Sequence, residues 1–185
     1  MRVAVTGGIA EGKSTVVAML AEYGCSTVSS DQLAREVFQL PDVQPLLARA
    51  ARLSGDTVSP TQLRAAIAAD DLVRHRVNRI MHPRVRARMD AAEAGVHEVP
   101  LLFEACLYGR YDQVWVVTCG PEEQLRRLIH RIGNEETARS LIASQLSSEV
   151  KVAFADRVID SRMSVPEMQG YVAHLAQSVL GGPKN

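Results

Sequence analysis

At 185 residues, 46% of them hydrophobic, the chain is long enough for one domain with a sizeable core and a small inserted subdomain. The formal net charge is zero, which excludes a global field drawing the protein to nucleic acid or to a membrane surface. No apolar run approaches the ~18 residues of a membrane span.

The chain opens on a short β-branched run, Arg2–Thr6, followed at once by "TGGIAEGKST". Strand and loop begin so early that no signal peptide is expected. "STVVAMLAEYG" predicts a helix over 13–23, closed by Gly24. A second strand is predicted at Cys25–Ser29 and a helix over 31–38. Helical patterns then follow at 42–53, 60–80 and 83–94, with no strand between them. That is too much chain for one crossover, so about 41–94 is read as a helical insertion beside the sheet. Strands resume at Val96–Leu101 and Gln113–Cys119. The run "QVWVVTC" lacks alternation, as expected for a strand covered on both faces. A helix over 121–132 leads into a second helical excursion, about 131–150, with helices at 134–145 and 147–155. A fifth strand, Arg157–Asp160, and a helix over 165–179 complete the pattern, and the tail "GGPKN" is expected to fray. Strands alternating with helices predict an α/β fold with a five-stranded parallel sheet flanked by helices. Its core is expected at 1–40, 95–130 and 151–180.

The spacing Gly7-x4-Gly12-Lys13-Ser14 is the P-loop pattern. Glycines let successive backbone N–H groups turn inward onto phosphate oxygens, and the following helix adds its positive N-terminal end. Lys13 is expected to reach the β- and γ-phosphates and the Ser14 hydroxyl to bind Mg²⁺. A nucleoside triphosphate is the expected first ligand, held by Gly7, Gly8, Ile9, Ala10, Glu11, Gly12, Lys13, Ser14 and Thr15. Of the 21 basic residues 18 are arginine, so Lys13 does not belong to a lysine-rich background.

Asp31 lies just past the second strand, where open α/β sheets bind ligands. Two readings stand side by side: a base that orients or deprotonates a hydroxyl, or an N-cap of the helix starting at Gln32. From Leu72 to Met89 six arginines (Arg74, Arg76, Arg79, Arg84, Arg86, Arg88) and two histidines, His75 and His82, run without an acid. The stretch reads either as a solvated basic face or as a site for a polyanionic acceptor. It has little aromatic interleaving, which argues against single-stranded nucleic acid. Arg126, Arg127, His130, Arg131 and Arg139 form a third cluster, with glutamates at helical spacing. Arg131 stands out because it ends one helix and begins the excursion, where a mobile arginine would neutralise transition-state charge. In "HEVPLLFEA", Glu98 is a candidate acid holding Mg²⁺ through water. Glu104 is a candidate for that role or for touching the acceptor. Structural roles stand open for both. Cys25, Cys106 and Cys119 form no C-x-x-C pair and read as buried small apolar residues of a reducing, cytoplasmic compartment.

Taken in order, "TGGIAEGKST", "VSSDQLAR", "RVNRIMHPRV", "EVPLLFEACLYGRYDQVWVV", "QLRRLIHR", "ASQLSSEVK" and "ADRVID" resemble the dephospho-coenzyme A kinase family over nearly the whole chain. The P-loop is generic. His82–Pro83 and the Pro100–Glu104 segment, at these distances from it, are more specific. The resemblance implies a P-loop fold like that of nucleoside monophosphate kinases, with a CoA-binding helical part and a lid. It implies transfer of the ATP γ-phosphate to the ribose 3′-hydroxyl of dephospho-CoA, with Mg²⁺ as cofactor. No nucleic-acid or membrane partner is implied, and the state expected is a monomer or weak homo-oligomer. The insertion would bind the CoA side, with Arg76, His82, Pro83, Leu101 and Glu104 against the acceptor. The excursion would be the lid, and Asp31 matches the family's proposed base. Ala10-Glu11 stands where the family usually has Gly-Ser. That costs backbone freedom at positive φ and puts a negative charge near the triphosphate. Ser29 replaces the first acid of an Asp-x-Asp, and Ser161 replaces an Asn that touches adenine. Two other readings remain: a kinase of another nucleotide or nucleoside, and a nucleotide-dependent switch without catalysis.

Overall fold

A computed structural model describes residues 1–181. The tail, beyond Gly181, lies outside the described residues. The chain divides into two compact units: Met1–Ser29 with the chain from Glu93 on, and Ser30–Ala92. The helical unit thus begins earlier than position 41.

The first unit carries β1 (Val3–Thr6), α1 (Lys13–Glu22), β2 (Thr27–Ser29), β3 (Val96–Glu98), β4 (Gln113–Thr118), α6 (Pro121–Ile132), α7 (Glu135–Ala143), α8 (Ser148–Val152), β5 (Arg157–Asp160) and α9 (Val165–Leu180). Its five strands are parallel in the order β2-β3-β1-β4-β5. β1 is buried along its whole length, and its register sets Val5 beside Glu98 on one flank and Thr6 beside Val116 on the other. Everything that leaves the end of β1 therefore emerges between the ends of β3 and β4. Helices cover the sheet: Val16, Val17 and Leu20 of α1 and Met168, Val172, Leu175 and Ala176 of α9 pack with Val3, Val5, Val96, Trp115, Val117 and Ile159. Burial on both faces is why β1 and β4 read as unbroken apolar runs.

Two strands are shorter than their apolar runs. The N–H of Cys25 closes α1 by donating to the Leu20 carbonyl, so β2 begins only at Thr27. β3 stops at Glu98 because Pro100 has no N–H to offer a ladder, and residues 100–106 turn away.

The second unit holds α2 (Ser30–Phe38), α3 (Gln44–Ala50), α4 (Pro60–Ala69) and α5 (Asp71–Ala91) around its own core of Val37, Val43, Leu47, Val58, Leu63, Val73 and Val77. Ser59 and Gln62 cap α4 reciprocally. The helix expected over 60–80 breaks at Asp70, whose extended backbone and side chain, accepting from the N–H of Leu72, start α5. The break expected at His82–Pro83 does not occur. α5 continues through Pro83, and the Arg84 guanidinium donates to the Ile80 carbonyl at 2.9 Å beside the proline's missing donor. An apolar stripe buried on one side outweighs the local cost of the proline.

Candidate active site

Residues 7–12 link β1 to α1 as a tight loop that glycine makes possible at two points. A Cβ on Gly7 would run into the Val117 carbonyl, and Gly12 caps α1 in the left-handed region at φ 92°. Ala10 also stands at φ 63°, in the left-handed region where a Cβ is strained. The loop is held from behind by α6, whose Gln124 amide donates to the Ile9 carbonyl at 3.0 Å.

Lys13 and Ser14 open α1, where the positive end of the helix faces the loop. The Lys13 ammonium donates to the Gly8 carbonyl at 2.7 Å and is nearly buried. The Ser14 hydroxyl donates to Glu98 Oε1 at 2.8 Å. The β1–β3 register places Glu98 level with Val5 and so near the start of the loop. A hydroxyl and a carboxylate at this spacing are hard oxygen donors of the kind Mg²⁺ takes alongside phosphate and water. Among the described residues no group of three or more His, Cys, Asp or Glu could hold a metal by itself.

On the other side of α1, Gly12, Thr15, Val16, Met19, Arg127, Ser161, Met163, Val165 and Met168 line a cleft of about 130 Å³. Arg127 donates to the Ser161 hydroxyl and carbonyl, each at 2.9 Å, and its Nε pairs with Glu123 at 2.7 Å. A guanidinium and an apolar, methionine-rich wall beside a phosphate loop suit a flat heteroaromatic ring. Arg127 sits one helical turn before Arg131, on the same face of α6, so its place was within reach of the helical spacing. Only the loop geometry shows that it approaches Gly12. Arg131 itself is exposed in the last turn of α6. Glu123 lies between Arg126 and Arg127, and hydrogen bonds from the two guanidinia pull its pKa down to about 2.

Glu11 and Glu104 are placed by tertiary contacts. Glu11 is wholly buried. Its carboxylate accepts from the Gly8 N–H, from Thr118 Oγ1 at 3.0 Å and from Ser148 Oγ at 2.6 Å. Glu104, in the turn after β3, pairs with Lys151 of α8 at 3.0 Å and accepts from the Leu146 N–H at 2.9 Å. Burial pushes the Glu104 carboxyl up, but the backbone and Lys151 hydrogen bonds outweigh it and hold the group below the usual carboxylate range. Leu101, in the same turn, is about half exposed.

The remaining expected site residues belong to the helical unit. α2 starts at Ser30, so Asp31 is an exposed residue inside the first helical turn and not the N-cap. On α5, Arg76, Arg79, Pro83 and Arg86 recur at helical spacing and are exposed, with His82 beside them. Arg74 pairs with Asp71 and Arg88 with Glu36, whereas Arg76, Arg79 and Arg86 form no ion pair with another described residue.

The family model for dephospho-CoA kinase matches residues 1–167. A dephospho-CoA kinase of Shouchella clausii is 38% identical over 179 residues, which cover 87% of this chain and 89% of that protein. Among solved structures, TT1252 from Thermus thermophilus superposes with a TM-score of 0.83 at 25% identity, covering 100% of this chain and 98% of that one. The dephospho-CoA kinase from Campylobacter jejuni shares the fold, with a TM-score of 0.72 at 22% identity and 98% of each chain covered.

Proposed function

The chain belongs to the dephospho-CoA kinase family, and from that premise we propose that it transfers the γ-phosphoryl group of ATP to the ribose 3′-hydroxyl of dephospho-CoA. The products are coenzyme A and ADP. The observation that carries the reading is the Gly7–Thr15 loop, with Lys13 and Ser14 opening α1 and Glu98 hydrogen-bonded to Ser14.

Phosphoryl transfer asks a protein for positioning and for charge stabilisation more than for covalent chemistry. Here Gly7–Thr15 cradle the β- and γ-phosphates, and Lys13 neutralises charge that builds on them. Arg131 adds positive charge from the end of α6. Ser14, with Glu98 behind it, would hold Mg²⁺, which would supply neutralising charge for the phosphate oxygens. Thr15, Arg127 and Ser161 border the cleft for the base. Asp31 orients the 3′-hydroxyl and takes its proton as the oxygen attacks the γ-phosphorus. The bond from that phosphorus to the β–γ bridging oxygen breaks, and the electron pair leaves with ADP. The stripe of Arg76, Arg79 and Arg86, with His82 and Pro83, receives the anionic body of dephospho-CoA, and Leu101 supplies apolar contact.

A coupled ADP-release assay with dephospho-CoA, AMP and adenosine as separate acceptors tests the proposal. Release with dephospho-CoA alone supports it. Preference for AMP or adenosine replaces it with another nucleotide kinase. ATP binding without release on any acceptor replaces it with a non-catalytic nucleotide switch.

A further inference from the structure

A carboxylate inside an anion-binding loop is electrostatically out of place. Burying it is unfavourable unless hydrogen bonds replace its water. Glu11 is fully buried, and donors from three separate parts of the fold surround it. The Gly8 N–H comes from the loop itself, Thr118 from the end of β4, and Ser148 from the first residue of α8. The Ser148 contact, 2.6 Å, has the length of a charge-assisted O–H···O⁻ bond. Three residues earlier the Gln145 side-chain oxygen accepts the Ile9 N–H at 2.9 Å. The same segment is pinned from its other side by Glu104, through the Leu146 N–H and the buried Lys151 ammonium. Residues 145–151 are thus clasped between the phosphate loop and the turn after β3. α7, just before them, is mostly exposed.

We propose that Glu11 is a positioning residue that latches α8 onto the back of the phosphate loop, so that the loop keeps its ATP-binding shape only while Ser148 is engaged. The inference rests on ATP being the ligand of residues 7–15. A hydrogen-bonding latch also makes a chemical demand that a purely electrostatic role does not. Glutamine at position 11 can keep all three contacts. Its amide oxygen accepts from Gly8 and Ser148, and its NH₂ group faces the Thr118 hydroxyl, which turns to accept. Alanine keeps none.

The test uses the full chain with Glu11→Ala, Glu11→Gln, Ser148→Ala and the double alanine variant. Two quantities are read: equilibrium binding of labelled Mg-ATP without any acceptor, and the rate of tryptic cleavage after Lys151, whose side chain is buried while the segment is docked. Glu11→Ala and Ser148→Ala are each expected to speed cleavage by about tenfold and to weaken ATP binding by about fivefold or more. The double variant should be no worse than Glu11→Ala alone, because the contact that Ser148→Ala removes is already lost in Glu11→Ala. Glu11→Gln should stay within about twofold of wild type in cleavage. Unchanged cleavage in Ser148→Ala, losses that multiply in the double variant, or a Glu11→Gln as open as Glu11→Ala would each overturn the latch. Should Glu11→Ala lose its cooperative melt, Ser148→Ala and Glu11→Gln decide the matter by themselves. Wild-type protein that fails to bind ATP would refute the reading of the loop, while the cleavage rates would still decide whether the latch exists.

Discussion

Replacing Glu104 by alanine separates two roles for that residue by their effects on stability. Lys151 is fully buried, and its ammonium has Glu104 at 3.0 Å and the Pro100 carbonyl at 3.4 Å. Glu104→Ala leaves the cation with one neutral acceptor and also removes the acceptor of the Leu146 N–H. Breaking one side of a buried ion pair costs about 3–5 kcal/mol, and the partial exposure of Glu104 places this case at about 3 kcal/mol. For a chain of this size that corresponds to a fall in melting temperature of about 6–12 °C. Calorimetry and urea unfolding at pH 7 measure it. Glu104→Leu combined with Lys151→Met should recover most of the loss, since a buried pair exchanged for packed apolar groups is often neutral or stabilising. The pH dependence has a definite sign. The folded-state pKa of Glu104 is depressed below its ordinary 4.5, so its contribution is present above that value and disappears as the pH falls through the lower folded value. The stability gap between wild type and Glu104→Ala should therefore close in acid. A melting temperature within about 2 °C of wild type at pH 7 would refute the anchor role and return Glu104 to the metal or the acceptor.

Lys13→Ala should lower turnover by about 10²–10³ and weaken ATP binding, and a variant with more than half of wild-type activity would refute the loop assignment. Asp31→Asn should cost about 10²–10⁴ in kcat if Asp31 takes the hydroxyl proton. Its effect on stability should stay below about 1 kcal/mol, because Asp31 is an exposed first-turn residue that loses only its interaction with the helix dipole. Charge reversal at Arg76 should raise KM for dephospho-CoA and leave KM for ATP nearly unchanged; equal effects on both would remove the basic stripe from the acceptor site. Ala10→Gly should stabilise the fold by about 0.5–1 kcal/mol in urea unfolding, since relief of about 1–2 kcal/mol at φ 63° exceeds the extra backbone entropy of glycine. A destabilised Ala10→Gly would mean that the left-handed conformation is not held in solution.

The strand-loop-helix of residues 3–22 was legible from the chain alone because its determinants are local. A buried β-branched run, glycines at the turning points and Lys-Ser-Thr at the helix start all lie within a few residues of one another. The same holds for β4 and β5, and for the acid-free basic run on α5. The break at Asp70 was also local, in an aspartate that caps the next helix, but the proline thirteen residues later drew the boundary instead. Whether a proline ends a helix depends on how much apolar surface the helix buries beyond it, and that is a tertiary quantity. Tertiary structure alone decided the strand order, which brings Glu98 to Ser14, and the turn of Glu11 away from solvent toward Ser148, 137 positions on. It also gave Glu104, for which the chain alone left structural, metal and acceptor roles open, the buried Lys151 as a partner. In each case a charged side chain took the role set by the donors that the fold carried to it. Those donors lie too far along the chain for spacing or propensity to register, because only the packed sheet and helices bring them within hydrogen-bond reach.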